Sequence, residues 1–351
     1  MTGPSVVIGM SGGVDSSVAT LLLKEAGYAV TGVSLHMPRA GVGVADNTAA
    51  LDDAQRVAEH LGIAWRPVDV REAFARQIID HLRDEYRRGR TPNPCVRCNR
   101  SFKWATLIAQ ADAAGAARVA MGHYVRLVGD AAAGHRVIRK AVDRDRDQSY
   151  FLHRLTPDML ARTIFPLGEL TKPAVRELAR KARLPVHDKA ASQDICFVDG
   201  DYRELFAGLE TGPGFEPGPI VDMAGRKVGT HTGFARYTIG QRRGLGGAHG
   251  QARFVTAILL EANTIVIGGE QDLLKSQCFI AEVNWLAPHA AGPVRAAVRI
   301  RYRHKEAPAV ITPLEGGRAR VVFDSAQRAV TPGQAAVFYN EDILLGGGWI
   351  E

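Results

Sequence analysis

Short apolar segments alternate with amphipathic segments along the first 120 residues of the chain. The run Val6-Val7-Ile8 predicts a buried strand, and apolar positions at helical spacing from Val14 onward predict a helix that ends near Gly27. The same alternation predicts strands at 29–35, 63–70 and 118–121 and helices at 52–61, 72–88 and 100–114. Strands that alternate with helices indicate a doubly wound α/β fold with a parallel sheet covered on both faces.

The pattern changes in the second half of the chain. Thr156-Pro157 and Thr171-Lys172-Pro173 each place a threonine before a proline, which predicts two helix starts with capping threonines. The stretch 211–219 is rich in proline and glycine and predicts a linker. From residue 276, short strands recur with turn signals and predict an antiparallel β-barrel. We therefore predict an α/β catalytic domain at 1–199, a small central domain at 200–275 and a barrel domain at 276–351.

Composition narrows the class of protein. Of the 351 residues, 46% are hydrophobic and 23% are charged, as in a soluble globular protein. No apolar run reaches the roughly 20 residues of a membrane helix, and residues 1–8 lack the basic start of a signal peptide. We expect a cytoplasmic protein without a membrane partner. The net charge of +7 favours a polyanionic partner such as nucleic acid.

A glycine-rich loop, Ser11-Gly12-Gly13-Val14-Asp15-Ser16, joins the first predicted strand to the first helix. Adjacent glycines let backbone N–H groups approach phosphate oxygens, and the start of the helix adds donors and a favourable dipole. Asp15 adds negative charge, which suits a loop that also holds Mg²⁺. The lysine of a Walker motif and the spaced glycines of a dinucleotide fold are absent. The loop predicts an ATP site; the alternative is a turn that simply needs glycine.

The chain has four cysteines, Cys95, Cys98, Cys196 and Cys278. Disulfide staples are rare in cytosolic proteins of this size, so catalysis, redox chemistry and metal binding are the alternatives for the first three. Cys278 is best interpreted as a small buried hydrophobic residue.

The loop resembles that of the ATP-pyrophosphatases, which cleave ATP between the α and β phosphates and adenylate a substrate oxygen. Further motifs narrow this resemblance. They are Thr91–Asn99 (TPNPCVRCN), Met121–Tyr124 (MGHY), Arg146–Leu152 (RDQSYFL), Ser192–Phe197 (SQDICF), Gly240–Gly247 (GQRRGLGG) and Thr331–Gln334 (TPGQ). Together they resemble the bacterial tRNA-specific 2-thiouridylase family nearly from end to end.

The resemblance implies ATP-dependent 2-thiolation of the wobble uridine, U34, of tRNA, with release of AMP and pyrophosphate. It implies that Cys196 carries a persulfide received from a sulfur-relay protein, and that Cys98 attacks it to form a transient disulfide. It assigns ATP contacts to Gly9, Met10, Ser11, Gly12, Gly13, Val14, Asp15, Ser16, Leu35 and Gly122. It assigns tRNA contacts to Asn93, Pro94, Cys95, His123, Arg146, Asp147, Gln148, Arg301, Tyr302 and Gln334.

Cys95 departs from a common form of this family, which has aspartate at this position. An acid–base role for that aspartate therefore does not transfer to this chain. Cys95, Cys98 and Cys196 form a set that also suits a 4Fe–4S cluster with one open iron, or zinc. Pro94 and Asn99 around the pair resemble no zinc knuckle, and no second Cys-x-x-Cys pair is present. Three thiols satisfy both the cluster and the persulfide scheme, and we favour the persulfide.

One predicted strand of the barrel has a strongly basic face. Apolar residues alternate with Arg295, Arg299, Arg301 and Arg303 over the stretch 294–303. This alternation predicts a face that tracks phosphates, although most charged strand faces are merely solvated.

We expect a monomer that uses ATP and Mg²⁺ to modify tRNA. Two other classes of protein remain open. A small-molecule ligase of the same ATP family would need neither the paired cysteines nor the basic barrel. A non-catalytic RNA-binding protein with a degenerate nucleotide loop would bind tRNA without turning over ATP.

Overall fold

The computed structural model describes residues 3–38, 46–129, 136–190, 195–198, 212, 214–245, 252–287 and 292–351. The chain divides into two compact units. The first comprises Met1–Ile78, Cys95–Tyr202 and Asp342–Leu344, and the second comprises Ile79–Pro94, Arg203–Glu341 and Leu345–Glu351. The predicted boundary at residue 199 and part of the predicted 211–219 linker lie outside the described residues.

The first unit is built on a five-stranded parallel sheet and also contains an antiparallel hairpin. The strands of the unit are β1 (Ser5–Gly9), β2 (Ala29–His36), β3 (Ala64–Asp69), β4 (Arg118–Ala120), β5 (Val125–Val128), β6 (Val137–Lys140) and β7 (Thr163–Ile164). The order in the sheet is β3-β2-β1-β4-β7, and β5 pairs with β6 as an antiparallel hairpin. Val7 and Ile8 of the central strand β1 are fully buried. The predicted doubly wound α/β fold is confirmed.

The helices of the chain are α1 (Val14–Glu25), α2 (Thr48–Leu61), α3 (Arg71–Phe74), α4 (Asp80–Arg87), α5 (Pro94–Cys98), α6 (Ala105–Ala113), α7 (Pro157–Arg162) and α8 (Lys172–Lys181). Short 3₁₀ turns lie at Ser149–Leu152, Phe234–Arg236, Gln271–Leu273 and Glu315–Gly317. The two predicted threonine caps are confirmed, since Thr156 accepts from Met159 N at 3.3 Å and Thr171 from Ala174 N at 3.4 Å.

Two predicted helices differ from the structure in the same way. The segment predicted as one helix at 72–88 contains a π-helical turn at Ala75–Ile79, and the segment at 100–114 begins with another at Asn99–Trp104. A π turn closes its hydrogen bonds over five residues, so residues four and five apart share a face. The 3.6-residue periodicity used for the prediction does not detect such a turn.

The second unit contains a small sheet and a barrel. The small sheet consists of β8 (Gly218–Asp222), β9 (Lys227–His231), β10 (Phe254–Leu259) and β11 (Thr264–Gly268), in the order β10-β11-β8-β9. The barrel strands are β12 (Leu274–Trp285), β13 (Val294–Arg299), β14 (Ala307–Leu314), β15 (Arg318–Arg328), β16 (Ala335–Asn340) and β17 (Ile343–Ile350). Their order is β12-β15-β14-β13-β16-β17, and β17 pairs back to β12, which closes the predicted antiparallel barrel.

The basic strand of the barrel is shorter than predicted. β13 ends at Arg299, and Arg301 and Tyr302 lie in the following turn. The inward residues Ala296 and Val298 are buried as the alternation predicted. Two outward arginines are neutralised, since Arg295 pairs with Asp324 at 2.5 Å and Arg299 with Glu306 at 3.1 Å. The phosphate-tracking face therefore has fewer uncompensated charges than its sequence indicated.

No helix in the described part of the chain combines the length and the apolar character needed to cross a membrane.

A buried hydrogen bond links the helical layer to the edge of the parallel sheet. The indole Nε1 of Trp104 donates to Thr163 Oγ1 at 2.8 Å, and both residues are fully buried. We expect Thr163→Val to lower the free energy of unfolding by about 1–3 kcal/mol, because the indole N–H loses its partner. Denaturant unfolding of this variant and of Thr31→Val, at a half-buried position of β2, measures the difference. Equal stability of the two variants would show that this bond contributes nothing.

Candidate active site

The loop after β1 is stabilised by its own hydroxyl groups. Ser16 Oγ accepts from Ser11 N at 3.1 Å and lies 3.2 Å from Ser11 Oγ. Gly12 has a φ of +67°, and a Cβ there would lie 2.1 Å from Ala50 O at the start of α2. Only glycine fits this position, because the conformation is left-handed and the space is taken.

Asp15 at the start of α1 is neutralised within the fold. Its Oδ1 accepts from Lys172 Nζ at 2.5 Å and from the Tyr124 hydroxyl at 2.7 Å. Lys172 is 8% exposed and lies at the first position of α8. Burial, and then the negative charge of Asp15, raise the pKa of Tyr124, so this hydroxyl keeps its proton and donates it.

A second lysine reaches the loop. Lys189 Nζ donates to Gly12 O at 3.0 Å and also pairs with the carboxylate of Asp53 on α2. Neither Lys172 nor Lys189 was predicted as a site residue from the sequence. Lys172 is part of a predicted helix start, and both lysines are more than 150 residues from the loop. Only folding brings their charges to it.

The turn after β4 packs against the same loop. A Cβ on Gly122 would lie 3.0 Å from both N and Cα of Ser16. Gln148 holds the turn from the other side, since its Oε1 accepts from Tyr124 N at 3.0 Å and its backbone N donates to Tyr124 O at 3.0 Å. The predicted ATP residue Gly122 and the predicted tRNA residues His123 and Gln148 are therefore neighbours of the glycine loop.

The segment Arg146–Gln148 divides into different environments. Arg146 is exposed. Asp147 is 3% exposed, and its carboxylate accepts from Ala141 N at 3.0 Å and from Ser149 Oγ at 2.7 Å. Asp147 therefore holds the shape of this turn and does not present its carboxylate to solvent.

Aromatic packing connects the two cysteine segments. The ring of Phe74 lies 5.2 Å from that of Phe102, four residues after Cys98, and 5.0 Å from that of Phe197, directly after Cys196. Both contacts are edge-to-face and all three rings are buried. Phe74 thus joins two segments that are about 100 positions apart in the sequence.

The three nearby thiols interact electrostatically. Burial raises the pKa of Cys98 to about 12, an effect that the positive charge of Lys103 opposes and the charges of Cys196 and Cys95 increase. Burial and then the charge of Cys196 raise the pKa of Cys95 to about 11. Cys98 is buried, Cys95 is half-buried and Cys196 is exposed, and all are free thiols. Cys196 is therefore the thiol that a partner can reach.

Neither a cluster nor a zinc ion fits these cysteines as they stand. Among the residues that the structure describes, no group of three or more His, Cys, Asp or Glu side chains is arranged to hold a metal ion. The three thiols interact at a distance without forming a common coordination site.

Lys103 lies beside the thiols on the π turn. It follows Cys98 by five positions, which in a π turn places the two residues on one face. Burial lowers the pKa of Lys103, but the charges of Cys98, Cys196 and Cys95 outweigh this effect and raise it. A thiolate at any of these cysteines therefore stabilises Lys103 as an ammonium group. Lys103 was not predicted from the sequence, although the spacing Cys-x₄-Lys was present.

His123 is held neutral at this site. Its ring packs 5.4 Å from that of Trp104 and 6.4 Å from that of Phe165. Burial, and then the charge of Lys103, lower the pKa of His123 to about 3. At neutral pH this side chain is a hydrogen-bonding group without charge.

In the second unit, the segment around Thr91 is hydrogen-bonded to the turn before the barrel strand β16. Gln334 Nε2 donates to Thr91 O at 2.8 Å, and Thr91 N donates to Pro332 O at 2.9 Å. Asn93 and Pro94 follow Thr91, so the predicted tRNA residues Asn93 and Gln334 lie in the same part of the second unit.

Arg301 and Tyr302, two further predicted tRNA residues, are half-buried in the turn after β13. Gly246 and Gly247 of the basic run lie outside the described residues.

Comparisons with known proteins agree with this arrangement. Residues 4–200 match the family model of the tRNA methyl transferase HUP domain, 209–269 its PRC-barrel domain, and 275–350 the aminomethyltransferase β-barrel domain. A tRNA-specific 2-thiouridylase MnmA from Moorella thermoacetica is 45% identical over 98% of this chain and 99% of its own length. One from Geobacter metallireducens is 46% identical over 99% of this chain and 96% of its own length.

The chain belongs to the tRNA-specific 2-thiouridylase family. The resemblance inferred from the sequence motifs is thereby confirmed. The U34-tRNA thiolase NcsA from Methanococcus maripaludis covers 56% of this chain and 63% of its own at 20% identity, with a TM-score of 0.38. A likeness this slight carries no argument about the site.

The close approach of Gly122 to Ser16 yields a first prediction for the site. We expect Gly122→Ala to weaken ATP binding about tenfold, because its Cβ would push the backbone at the start of α1 by an overpacking energy of about 1–3 kcal/mol. Calorimetric titration with ATP measures the affinity. Gly269→Ala, whose Cβ would be 3.7 Å from the nearest atom, is the control and should leave the affinity unchanged. Equal affinities for the two variants would contradict the prediction.

The depressed pKa of His123 predicts acid sensitivity. The unfolded chain binds a proton at His123 below a pH of about 6.5, whereas the folded protein does so only near pH 3. The unfolded state therefore binds more protons within this window, and stability falls as the pH falls through it. We expect His123→Asn to lose less unfolding free energy than the wild type between pH 7 and pH 4. His60→Asn, at an exposed position on α2, should behave like the wild type in the same urea titrations.

Proposed function

We propose that this protein is an ATP-dependent tRNA-uridine 2-sulfurtransferase that thiolates C2 of the wobble uridine, U34. The observation that carries the proposal is the assembly, within one compact unit, of an anion-binding loop and a cluster of three thiols. Gly122 contacts the loop at Ser16, and the next residue, His123, packs on Trp104 beside Lys103 and the thiols. Nearly full-length similarity to tRNA-specific 2-thiouridylases supports the same conclusion.

Activation of the base uses the glycine loop. Backbone N–H groups at the start of α1 bind phosphate oxygens, and beside the loop Lys172 offsets the negative charge of Asp15 and Lys189 that of Asp53. The two hydrogen bonds to the Asp15 carboxylate described above end on Oδ1, so Oδ2 would be the ligand for Mg²⁺. Mg²⁺ supplies charge compensation for the pyrophosphate leaving group.

Oxygen at C2 of uridine is a poor leaving group until it is adenylated. Attack of this oxygen on the α-phosphate releases pyrophosphate and leaves AMP attached to C2. The terminal sulfur of a Cys196 persulfide then bonds to C2, and AMP leaves with the electron pair of the C–O bond. Cys98 thiolate attacks Sγ of Cys196, which breaks the sulfur–sulfur bond to the base and forms a Cys98–Cys196 disulfide. A thiol reductant must reduce this disulfide before the next turnover.

Lys103 reduces a difficulty in this sequence of steps without removing it, since the pKa of Cys98 is about 12 with the charge of Lys103 included. A thiol with a pKa of about 12 is a poor nucleophile at neutral pH, because only its thiolate attacks. The ammonium group of Lys103 lowers the energy of a sulfur anion at Cys98 and at the Cys196 persulfide. The neutral His123 beside it can hydrogen-bond to a base without repelling this cation.

Contacts with tRNA are proposed for Asn93, Pro94, Cys95, His123, Arg146, Gln148, Arg301, Tyr302 and Gln334. Asp147 would act indirectly, by holding the turn that presents Arg146 and Gln148. An unpaired anticodon base can be moved into the site at a cost of a few kcal/mol. A persulfide-donating protein is the expected sulfur source, and we expect the enzyme to act as a cytoplasmic monomer.

The name of the matching family model mentions methyl transfer, whereas the relatives are named thiouridylases. The thiol cluster favours sulfur transfer, since transfer of a methyl group from a soluble donor has no need for two thiols that exchange a disulfide. A small-molecule ligase is disfavoured by the same cluster. A non-catalytic RNA-binding protein would have no use for two lysines on a phosphate loop.

Substitution of single cysteines tests the proposal. We expect Cys196→Ser to retain tRNA-dependent pyrophosphate release but to form no 2-thiouridine, because the sulfur carrier is lost. Cys98→Ser should accept a persulfide at Cys196 yet fail to complete transfer. Cys278→Ala, in the barrel, should behave like the wild type. Mass spectrometry of tRNA nucleosides and a pyrophosphate assay give the readouts. Thiolation by Cys196→Ser, or pyrophosphate release without tRNA, would refute the proposal.

A further inference from the structure

Among the described residues, no strand pairs with the end of β2 on the side of β1, although an isolated antiparallel bridge joins Pro38 to Asp46 and Asn47 N donates to Met37 O at 3.2 Å. Val33 O accepts from Met10 N at 2.8 Å on the side of β1, and His36 O accepts from Val70 N at 3.1 Å on the side of β3. Because strand residues alternate in direction, Leu35 O points to the same side as Val33 O. β1 ends at Gly9, so Leu35 lies beyond the last bond between β1 and β2.

The side chain of Asn47 fills this position. Its Oδ1 accepts from Met37 N at 2.8 Å, and its Nδ2 donates to Leu35 O at 2.9 Å. The partners determine which amide atom is which, because a backbone N–H can only donate and a carbonyl can only accept. The carboxamide therefore satisfies one donor and one acceptor at the open edge of β2.

This use of Asn47 is unusual for its place in the fold. Asn47 is the N-cap residue of α2, where asparagine normally accepts from a backbone N–H of the first turn. Its side chain makes no such bond. The carboxylate of Asp46 accepts from Thr48 N at 3.0 Å instead. The Asn47 side chain therefore makes no capping bond to α2 and bonds instead to the backbone at the end of β2.

A carboxamide and a 6-aminopurine present the same pattern of hydrogen-bonding groups. Adenine carries an acceptor, N1, next to a donor, the 6-amino group, whereas guanine carries a donor next to an acceptor at the corresponding positions. Leu35 C=O and Met37 N–H therefore complement adenine and mismatch guanine. The phosphate loop is adjacent, since a Cβ on Gly12 would touch Ala50 O, three residues after Asn47.

We propose that the Asn47 carboxamide is an adenine mimic that occupies the base-reading edge of β2 and is displaced when ATP binds. The proposal rests on the use of ATP proposed above. It makes Asn47 a determinant of nucleotide affinity, because the base must replace two existing hydrogen bonds and not simply enter an open edge.

Nucleotide binding by the full-length protein without tRNA tests this proposal. We expect Asn47→Ala and Asn47→Ser to bind ATP about tenfold more tightly than the wild type, since two neutral hydrogen bonds no longer compete. Serine is an effective N-cap residue, so Asn47→Ser should keep α2 intact, and thermal unfolding checks this. Gln55→Ser removes an exposed carboxamide from the same helix and should leave ATP affinity unchanged.

Inorganic tripolyphosphate separates an effect on the base from an effect on the phosphate loop. It has no base, so its affinity should be the same for wild type and both Asn47 variants. Unchanged or weaker ATP binding by the variants would overturn the proposal, as would an equal gain for ATP and tripolyphosphate. Failure of the wild type and the variants alike to bind ATP would overturn this proposal and the proposed function together. A wild type that binds ATP, with variants that show no gain, would overturn this proposal alone.

Discussion

The packing of Phe74 against Phe102 and Phe197 is a contact on which the proposed sulfur chemistry would depend. A disulfide between Cys98 and Cys196 requires their Cα atoms to approach within about 7 Å. The two residues belong to segments far apart in sequence, and the three phenylalanine rings form a buried contact between those segments. Phe197 thus anchors its segment in the core, while the neighbouring Cys196 is exposed.

Charge compensation organises the rest of the first unit. Asp15 would repel phosphates if it were unpaired, and Lys172 neutralises it from the start of α8. Lys103 plays the corresponding part among the thiols, where its positive charge opposes the effect of burial, which raises the pKa of Cys98 and of Cys95. His123, which follows Gly122 of the loop turn and lies near Lys103, stays neutral because burial and the charge of Lys103 lower its pKa. Lysines offset negative charge in both regions, Lys172 and Lys189 at the loop and Lys103 at the thiols.

Several elements of the fold follow directly from local sequence. The strand 6–8, its glycine loop and the helix after it were predictable, because apolar periodicity and glycine conformation are properties of neighbouring residues. The caps at Thr156 and Thr171 were predictable for the same reason. The π turns at Ala75–Ile79 and Asn99–Trp104 were not, since a single extra residue per turn leaves almost no trace in the pattern. The end of β13 at Arg299 was also missed, because the alternation continues into a turn.

By itself, the sequence determined the α/β class, the barrel, the phosphate loop and the candidate thiols, since these depend on residue type and short-range spacing. Only the tertiary structure decided that Lys172 and Lys189 join the loop, that Lys103 faces the thiols, and that Asn47 turns from its helix to β2. These contacts join residues that are not neighbours in the sequence. The physical reason is that burial and charge act through space, and their partners exist only once the core has packed.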